Sequence, residues 1–399
     1  MRSQSEMRSP DDGAANLYVH FPFCRRKCRY CALYSRVGVS AAARDAYVRQ
    51  LARVISAWGQ TPDFRGQAPR FLGTGPAPSG GQTPVSRLKT IYFGGGSPAL
   101  CDLRPILVEL GPRLSDETEF TVELHPQDVS DDLLKMLRDG GVNRISMGVQ
   151  SLDDATLAAM GRGYAVAEAA RAFAHVKRLF DNAGIDLIVG YPGDPCAGWE
   201  ALRDWGLSHC SVYSLQNERG LADVPDDDWV LDRIRAVSEY LGEIGLERYE
   251  ISNYAVPGKE CRHNLAVWRG EDYFGLGAGA YGRLGLRRTR NFGVCPPDSA
   301  GPVPKEGAGP VPKKRGVCPQ RSGACPQAAE ETVTPEQDAL ERRIFRLRTR
   351  EGLDATGYPA WGQALEKFCK TGLLTKEGEI YRLTARGTEV CDSILAELV

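Results

Sequence analysis

What the sequence lacks narrows its function first. No uninterrupted apolar run approaches the roughly 18 residues that a membrane helix needs. The opening "MRSQSEMRSPDDGAA" has no apolar core, so it reads neither as a signal peptide nor as a membrane span. Charge of one sign is not in excess. A formal net charge of −1 over 399 residues gives no global field for nucleic acid or an anionic membrane. The basic run "KKR" at 313–315 is too short to argue for membrane binding by itself. Cysteine, in contrast, is plentiful. Twelve cysteines without a secretion signal point to a reducing, cytoplasmic compartment, where clustered thiols are more often metal ligands or catalytic groups than disulfides. The remaining composition, 42% apolar and 25% charged, is ordinary for a globular chain with room for one large domain and a smaller one.

From about residue 16 to 292 the chain alternates strand-like and helix-like stretches. The strand candidates are "NLYVHF", "LKTIYFGGG", "EFTVELHP", "VNRISMGVQS", "GIDLIVGYPG" and "HCSVYSLQ". Helices are expected at 41–58, 102–113, 130–139, 166–182 and 226–244. Six β-then-α units imply a parallel sheet with helical crossovers. Several strands separate an apolar face from a polar one. Leu17, Val19 and Phe21 alternate with Tyr18 and His20; Val122 and Leu124 alternate with Thr121, Glu123 and His125; Leu187 and Val189 alternate with Asp186 and Ile188. A flat sheet covered on both faces would be apolar throughout. A curled, partial (β/α)6 barrel around a polar interior is therefore expected. Residues 1–15 are expected to be disordered. The Gly- and Pro-rich stretches 59–86 and 293–333 read as an insertion and a linker. The linker carries Cys295, Cys318 and Cys325, which read as unremarkable thiols. Residues 334–399 read as helix, helix, hairpin, helix, a small winged-helix-like α+β unit with Gly378 at the hairpin turn. Its acidic residues Glu336, Asp338 and Glu341 precede its arginines. That order suits a helix dipole and a solvated face better than DNA binding.

The stretch "FPFCRRKCRYCALYS" sets Cys24, Cys28 and Cys31 at C-x3-C-x2-C, directly after the first strand. In barrel enzymes reactive loops follow the carboxyl ends of strands. Three thiolates can hold three irons of a four-iron, four-sulfur cluster, leaving the fourth open to a ligand. A structural zinc with a distant fourth ligand, or three free thiols, are the rival readings.

"CRRKCRYC" resembles the signature of the radical S-adenosylmethionine (SAM) superfamily. Together with "LYVHFPFC", "IYFGGGSP", "RISMGVQS", "GRGY", "DLIVGYPG" and "YEISNYAVPGKECRHNLAVW", it resembles, in order, the oxygen-independent coproporphyrinogen oxidase-like family. The likeness covers roughly 16–290, and residues 334–399 fit that family's accessory domain. The oxidase branch has a fourth cysteine two residues after the third; here that position is Leu33. The resemblance therefore runs nearer the haem-chaperone branch, whose His-Asn-x-x-Tyr-Trp motif reads "HNLAVW", His263 to Trp268. Val267 replaces the family's tyrosine, and Tyr281 stands where the family usually has histidine.

The resemblance implies a 4Fe-4S cluster on Cys24, Cys28 and Cys31. It implies SAM contacts from Tyr18, Tyr30, Gly95, Gly96, Ser97, Glu123, Gln150, Arg162, Asp186 and Ile188. It implies a haem role for His263, with Cys261 as a rival ligand. His20 shares a face with Tyr18 and either lines the cavity or is a satisfied core residue. Glu123 could equally form an ion pair with Arg144 or Arg162. Implied partners are haem or another tetrapyrrole, recipient haem proteins and an electron donor for the cluster. Decarboxylation of coproporphyrinogen III, or another radical SAM reaction on a tetrapyrrole, is the competing function.

Overall fold

The computed structural model describes residues 15–57, 87–290 and 329–398. The expected N-terminal disorder, the insertion at 59–86 and nearly all of the expected linker lie outside them. The six expected strands form: β1 (Ala15–Phe21), β2 (Leu88–Gly95), β3 (Glu119–Leu124), β4 (Arg144–Gln150), β5 (Asn182–Val189) and β6 (His209–Ser214). Each pairs in parallel with the next, so their order in the sheet is their order in sequence. The crossovers carry α1 (Ala41–Ser56), α2 (Arg104–Leu110), α3 (Asp131–Asp139), α4 (Asp154–Met160) and α5 (Val166–Lys177); α6 (Asp227–Glu243) follows β6.

Three expectations are corrected here. The 102–113 helix is α2 alone, followed by a tight turn around Pro112. Residues 178–182 leave α5 and enter β5. The sequence pattern missed α4, a short helix capped by Asp153 and ended by left-handed Gly161.

The apolar face of the sheet packs outward against the helices. Leu17, Val19, Phe21, Phe93, Val122 and Ile145 meet Tyr47, Leu51, Ile106, Leu137 and Phe173 in one core. The other face curls inward. Tyr92 on β2 lies close to Asp186 on β5 and Tyr213 on β6. In a flat sheet these strands would stand roughly 14 to 19 Å apart, so the sheet wraps into a partial barrel.

The sheet extends beyond what periodicity reveals. β7 (Glu247–Arg248) and β8 (Asn253–Ala255) add to β6 antiparallel. Next come α7 (Arg262–Trp268), then β9 (Tyr273–Leu276), which pairs parallel with β1, then β10 (Tyr281–Leu284), β11 (Arg287–Arg290) and β12 (Ala329–Thr332). Residues 329–332, expected as linker, are thus a strand on β11. Among the described residues β7 and β12 are the two edges, so the barrel is open.

The C-terminal unit contains α8 (Pro335–Arg346), β13 (Leu353–Asp354), α9 (Gly362–Lys370), β14 (Leu374–Glu377), β15 (Ile380–Leu383), α10 (Ala385–Glu389) and α11 (Cys391–Leu398). Its sheet runs β13-β15-β14, and Gly378 takes positive φ at the hairpin as expected. At the acidic start of α8 Glu336 is exposed as expected, but Asp338 is not. Asp338 is buried against Arg283, Arg288 and Arg342. The arginines that follow are also engaged within the chain: Arg343 lies over Tyr358, and Arg348 meets Asp392 and Trp268.

Candidate functional site: a three-thiol loop over a polar chamber

The cysteine loop closes over the carboxyl ends of the parallel strands. It is fixed by its backbone, with Cys24 N–H donating to Arg36 O, Arg36 N–H to Pro22 O and Arg29 N–H to Met160 O. Its cations reach outward to different partners. Arg25 meets Asp128 at 2.7 Å, and Lys27 donates to Leu33 O and Ser35 Oγ. Arg162, from the loop after α4, donates to Cys28 Sγ at 3.6 Å and Tyr30 Oη at 3.4 Å. Burial pushes the Cys24 and Cys31 thiols up; Cys28 and Cys31 raise Cys24 further, and Cys28 raises Cys31. The three sulfurs therefore share one locality beside two cations. Among the described residues no three His, Cys, Asp or Glu side chains are arranged for a single metal ion. A thiol trio flanked by Lys27 and Arg162 fits a larger anionic cluster bound through cysteine sulfur. Leu33, the position of the oxidase branch's fourth cysteine, is 55% exposed.

The glycines of "GGGSP" are there because nothing larger fits. A Cβ on Gly96 would lie 2.3 Å from Phe23 O. One on Gly95, whose φ is +110°, would lie 2.6 Å from the His20 ring. Gly96 N–H donates to Phe21 O and Ser97 N–H to Phe23 O, tying this loop to the cysteine loop. Ser97, an expected SAM contact, is buried with its hydroxyl committed to Asp128 at 2.5 Å. Asp128 thus joins the glycine loop to Arg25 of the cysteine loop, a link the sequence did not disclose.

Below the loops, the inward side chains of the strands form a chamber. Glu123 accepts from Tyr92 Oη at 2.9 Å and Gly95 N–H at 3.1 Å; these, and neither Arg144 nor Arg162, are its hydrogen-bond partners. Burial first and Asp186 second push its carboxyl up to about 7. Burial also raises Asp186, which accepts from Ser146 at 3.0 Å. Gln150 sits at φ 79°, at the bulge where the β4–β5 register shifts. A Cβ on Gly148 would meet its amide. Arg162 also holds Gly148 O and Tyr164 Oη. Ile188 shares the inward face with Asp186. Two half-buried carboxylates with raised pKa values favour a cationic ligand; the sulfonium and ammonium of SAM are of that kind. Tyr92 and Tyr213 belong to the same face and were missed, although the same period-two pattern places them there.

His20 resolves as a satisfied histidine. Nε2 can only donate to Tyr34 O, at 2.9 Å, so Nδ1 accepts from Tyr18 Oη at 3.0 Å. Burial lowers its pKa to about 4.

His263 lies at the opposite end, in the barrel's base. The Thr90 hydroxyl donates to Asn16 Oδ1, so it accepts from His263 Nδ1–H at 2.7 Å, and Nε2 keeps the lone pair. The ring is 4% exposed, among Tyr18, Tyr92 and Tyr273, and burial lowers its pKa to about 3. Its helix is pinned by Glu119, which accepts from the N–H groups of Arg262 and His263 at 2.8 and 2.9 Å. Cys261, the rival ligand, is fully buried with its thiol on Glu119 at 3.6 Å.

A parallel partial barrel with a three-thiol loop at its carboxyl mouth defines a radical SAM protein, and the Radical SAM superfamily model matches residues 84–205. The chain is 32% identical to the Heme chaperone HemW of Lactococcus lactis over 69% of its length and 71% of that protein's. It is 32% identical to the HemW of Bacillus subtilis over 69% and 73%. The HemW of Mycobacterium tuberculosis is 27% identical over 96% of this chain and 94% of its own. The chain belongs to the HemW family. Among solved structures, the coproporphyrinogen III oxidase HemN of Escherichia coli is 20% identical, with a TM-score of 0.70 over 96% of this chain and 90% of that one; this likeness is one of fold. The family carries a 4Fe-4S cluster and SAM. Among the described residues no helix is long and apolar enough to cross a membrane.

Proposed function

We propose that this chain is a cytoplasmic haem chaperone that binds a 4Fe-4S cluster and SAM at the barrel mouth and passes haem to recipient haem proteins. The reading is carried by its likeness, over 69% of its length, to proteins named heme chaperone HemW. Leu33 in place of a fourth cysteine supports it against coproporphyrinogen III decarboxylation. Cys24, Cys28 and Cys31 would hold the cluster, whose electron, supplied by a reductant, can cleave a bound sulfonium. Around it, this chain's residues bind and orient. Glu123 and Asp186 offer carboxylates to the cationic end of SAM. Tyr30 offers a ring, Arg162 a donor fork toward Cys28, and Gln150, Ile188 and Tyr18 line the space between. His263 is prepared as an iron ligand in one respect: its Nδ1–H is held by Thr90, which orients the Nε2 lone pair. At 4% exposure, the ring requires α7 to shift before iron can reach it.

The test is anaerobic reconstitution with iron and sulfide, then haem titration followed in the Soret band on wild type and His263→Ala. Saturable binding weakened by the substitution supports the reading and assigns the ligand. Unchanged binding moves the ligand elsewhere, with Cys261 next. Absence of haem binding, or robust decarboxylation of coproporphyrinogen III, overturns the chaperone reading.

A further inference from the structure

A second cavity, about 410 Å3, opens at the amino ends of β1 and β2, on the side of the barrel away from the thiol loop. Four cations line it, Arg87, Lys89, Arg262 and Arg269, against two carboxylates, Glu117 and Glu271. The chain as a whole is nearly neutral, so this local excess is not a share of a general charge. Its pairing is incomplete, although Lys89 has an interaction of its own. Arg269 is clasped by Glu351, at 3.0 and 3.1 Å from Nε, and Glu271 accepts from Asn16. Arg262 spends only one Nη1–H, on the backbone oxygen of Glu117. Arg87 forms no ion pair among the described residues. A guanidinium presents a flat fork of donors that matches a carboxylate.

The cavity shares walls with the base of the barrel. Arg262 and Ala266, at i and i+4, lie on one side of α7, the helix that carries His263, and Arg269 caps its carboxyl end. Thr90, which accepts from His263 Nδ1–H, lines the cavity too. A cationic recess thus adjoins the histidine that the haem reading singles out.

Resting on that reading, we propose that this basal cavity receives the two propionate carboxylates of the tetrapyrrole and anchors the macrocycle by that edge against α7. Arg87 and Lys89 supply the charge from β2 and its approach, and Arg262 supplies it from α7. The inference concerns the carboxylates alone and holds for whichever residue binds the iron.

The test compares haem with haem dimethyl ester, whose carboxylates are blocked, both delivered in the same detergent to the reconstituted full chain and followed in the Soret band. Wild type is measured beside Arg87→Glu/Lys89→Glu and the milder Arg87→Gln/Lys89→Gln, with circular dichroism as the folding check. Charge reversal should weaken haem binding by about tenfold or more, equivalent to about 1.4 kcal/mol, and the glutamine pair should fall between. Ester binding should be weaker than haem binding in wild type and unaffected by either pair. If wild type binds haem and both pairs bind it equally well, or lose haem and ester alike, the basal site is wrong while the chaperone reading stands. If wild type binds neither compound, the haem reading fails and this inference goes with it.

Discussion

Glu123 holds its proton up to about pH 7 because burial strips its carboxylate of water and Asp186 adds like charge. Its folded pKa is above its unfolded one. The stability this proton contributes is therefore complete below the ordinary carboxyl range and is lost as pH rises through about 7. Binding of a cation has the opposite sign, since only the ionised form attracts a sulfonium. Calorimetric titration of the reconstituted protein with SAM should show affinity rising from about pH 6 to about pH 8, with most of that rise absent in Glu123→Gln; parallel curves for the two proteins would remove Glu123 from the SAM site. Asp128 acts through its neighbours. Its side chain is 2% exposed and bridges Ser97 to Arg25. Asp128→Asn should cost about 1–2 kcal/mol in thermal unfolding and speed iron loss to a chelator, an effect that a merely structural surface residue would not have. The face of Glu123 and Asp186 was legible because strand periodicity is local. The role of Asp128 was not, because it joins residues 103 and 31 positions away.

Strands β1 to β6 were legible for the same reason: each alternates long enough for one face to be separated from the other. The strands missed, β7 to β12, are two to four residues long and carry no period. α7 is the element whose place matters most for haem, and only a motif pointed to it. Its seven residues are held in the base by Glu119, which answers both the first backbone donors of the helix and the charge of Arg144, itself 1% exposed. Removing that charge weakens the acceptor of the helix's first donors and takes away one of the carboxylates, with Glu123 and Asp186, that act on the buried Arg144 guanidinium. Glu119→Gln should therefore lower stability by about 1–3 kcal/mol in chemical denaturation. Adding Arg144→Met should recover part of the loss, because the two charges are then removed together. Full additivity of the two substitutions would mean that the pair does not interact.

At the scale of the molecule, the sequence separated barrel and C-terminal unit by a linker and left their contact open. The acidic start of α8 read as solvated because helix-dipole order describes an isolated helix, not one with three arginines arriving from elsewhere. Arg283 of β10 and Arg288 of β11 both converge on Asp338, with Glu341 and Arg342 completing the network. Burial pushes the Asp338 carboxyl up, but hydrogen bonds from Arg342 and Arg288 and the charge of Arg283 outweigh it and hold it below the usual carboxylate range. Its contribution is therefore present above the ordinary aspartate pKa and lost as pH falls through the depressed one. Replacing it leaves three cations facing only Glu341 and the more distant Asp272, so Asp338→Asn should cost about 3–5 kcal/mol, concentrated where the units meet. Hydrogen exchange separates this from general destabilisation. Amides of α8, β10 and β11 should exchange faster in the variant while those of β2 to β5 keep their protection. Equal loss across the barrel would mean that the two units unfold as one. No loss at all would mean that the edge contact of Trp268 with Phe345, and the pairing of Arg350 with Glu260, hold the C-terminal unit without the network.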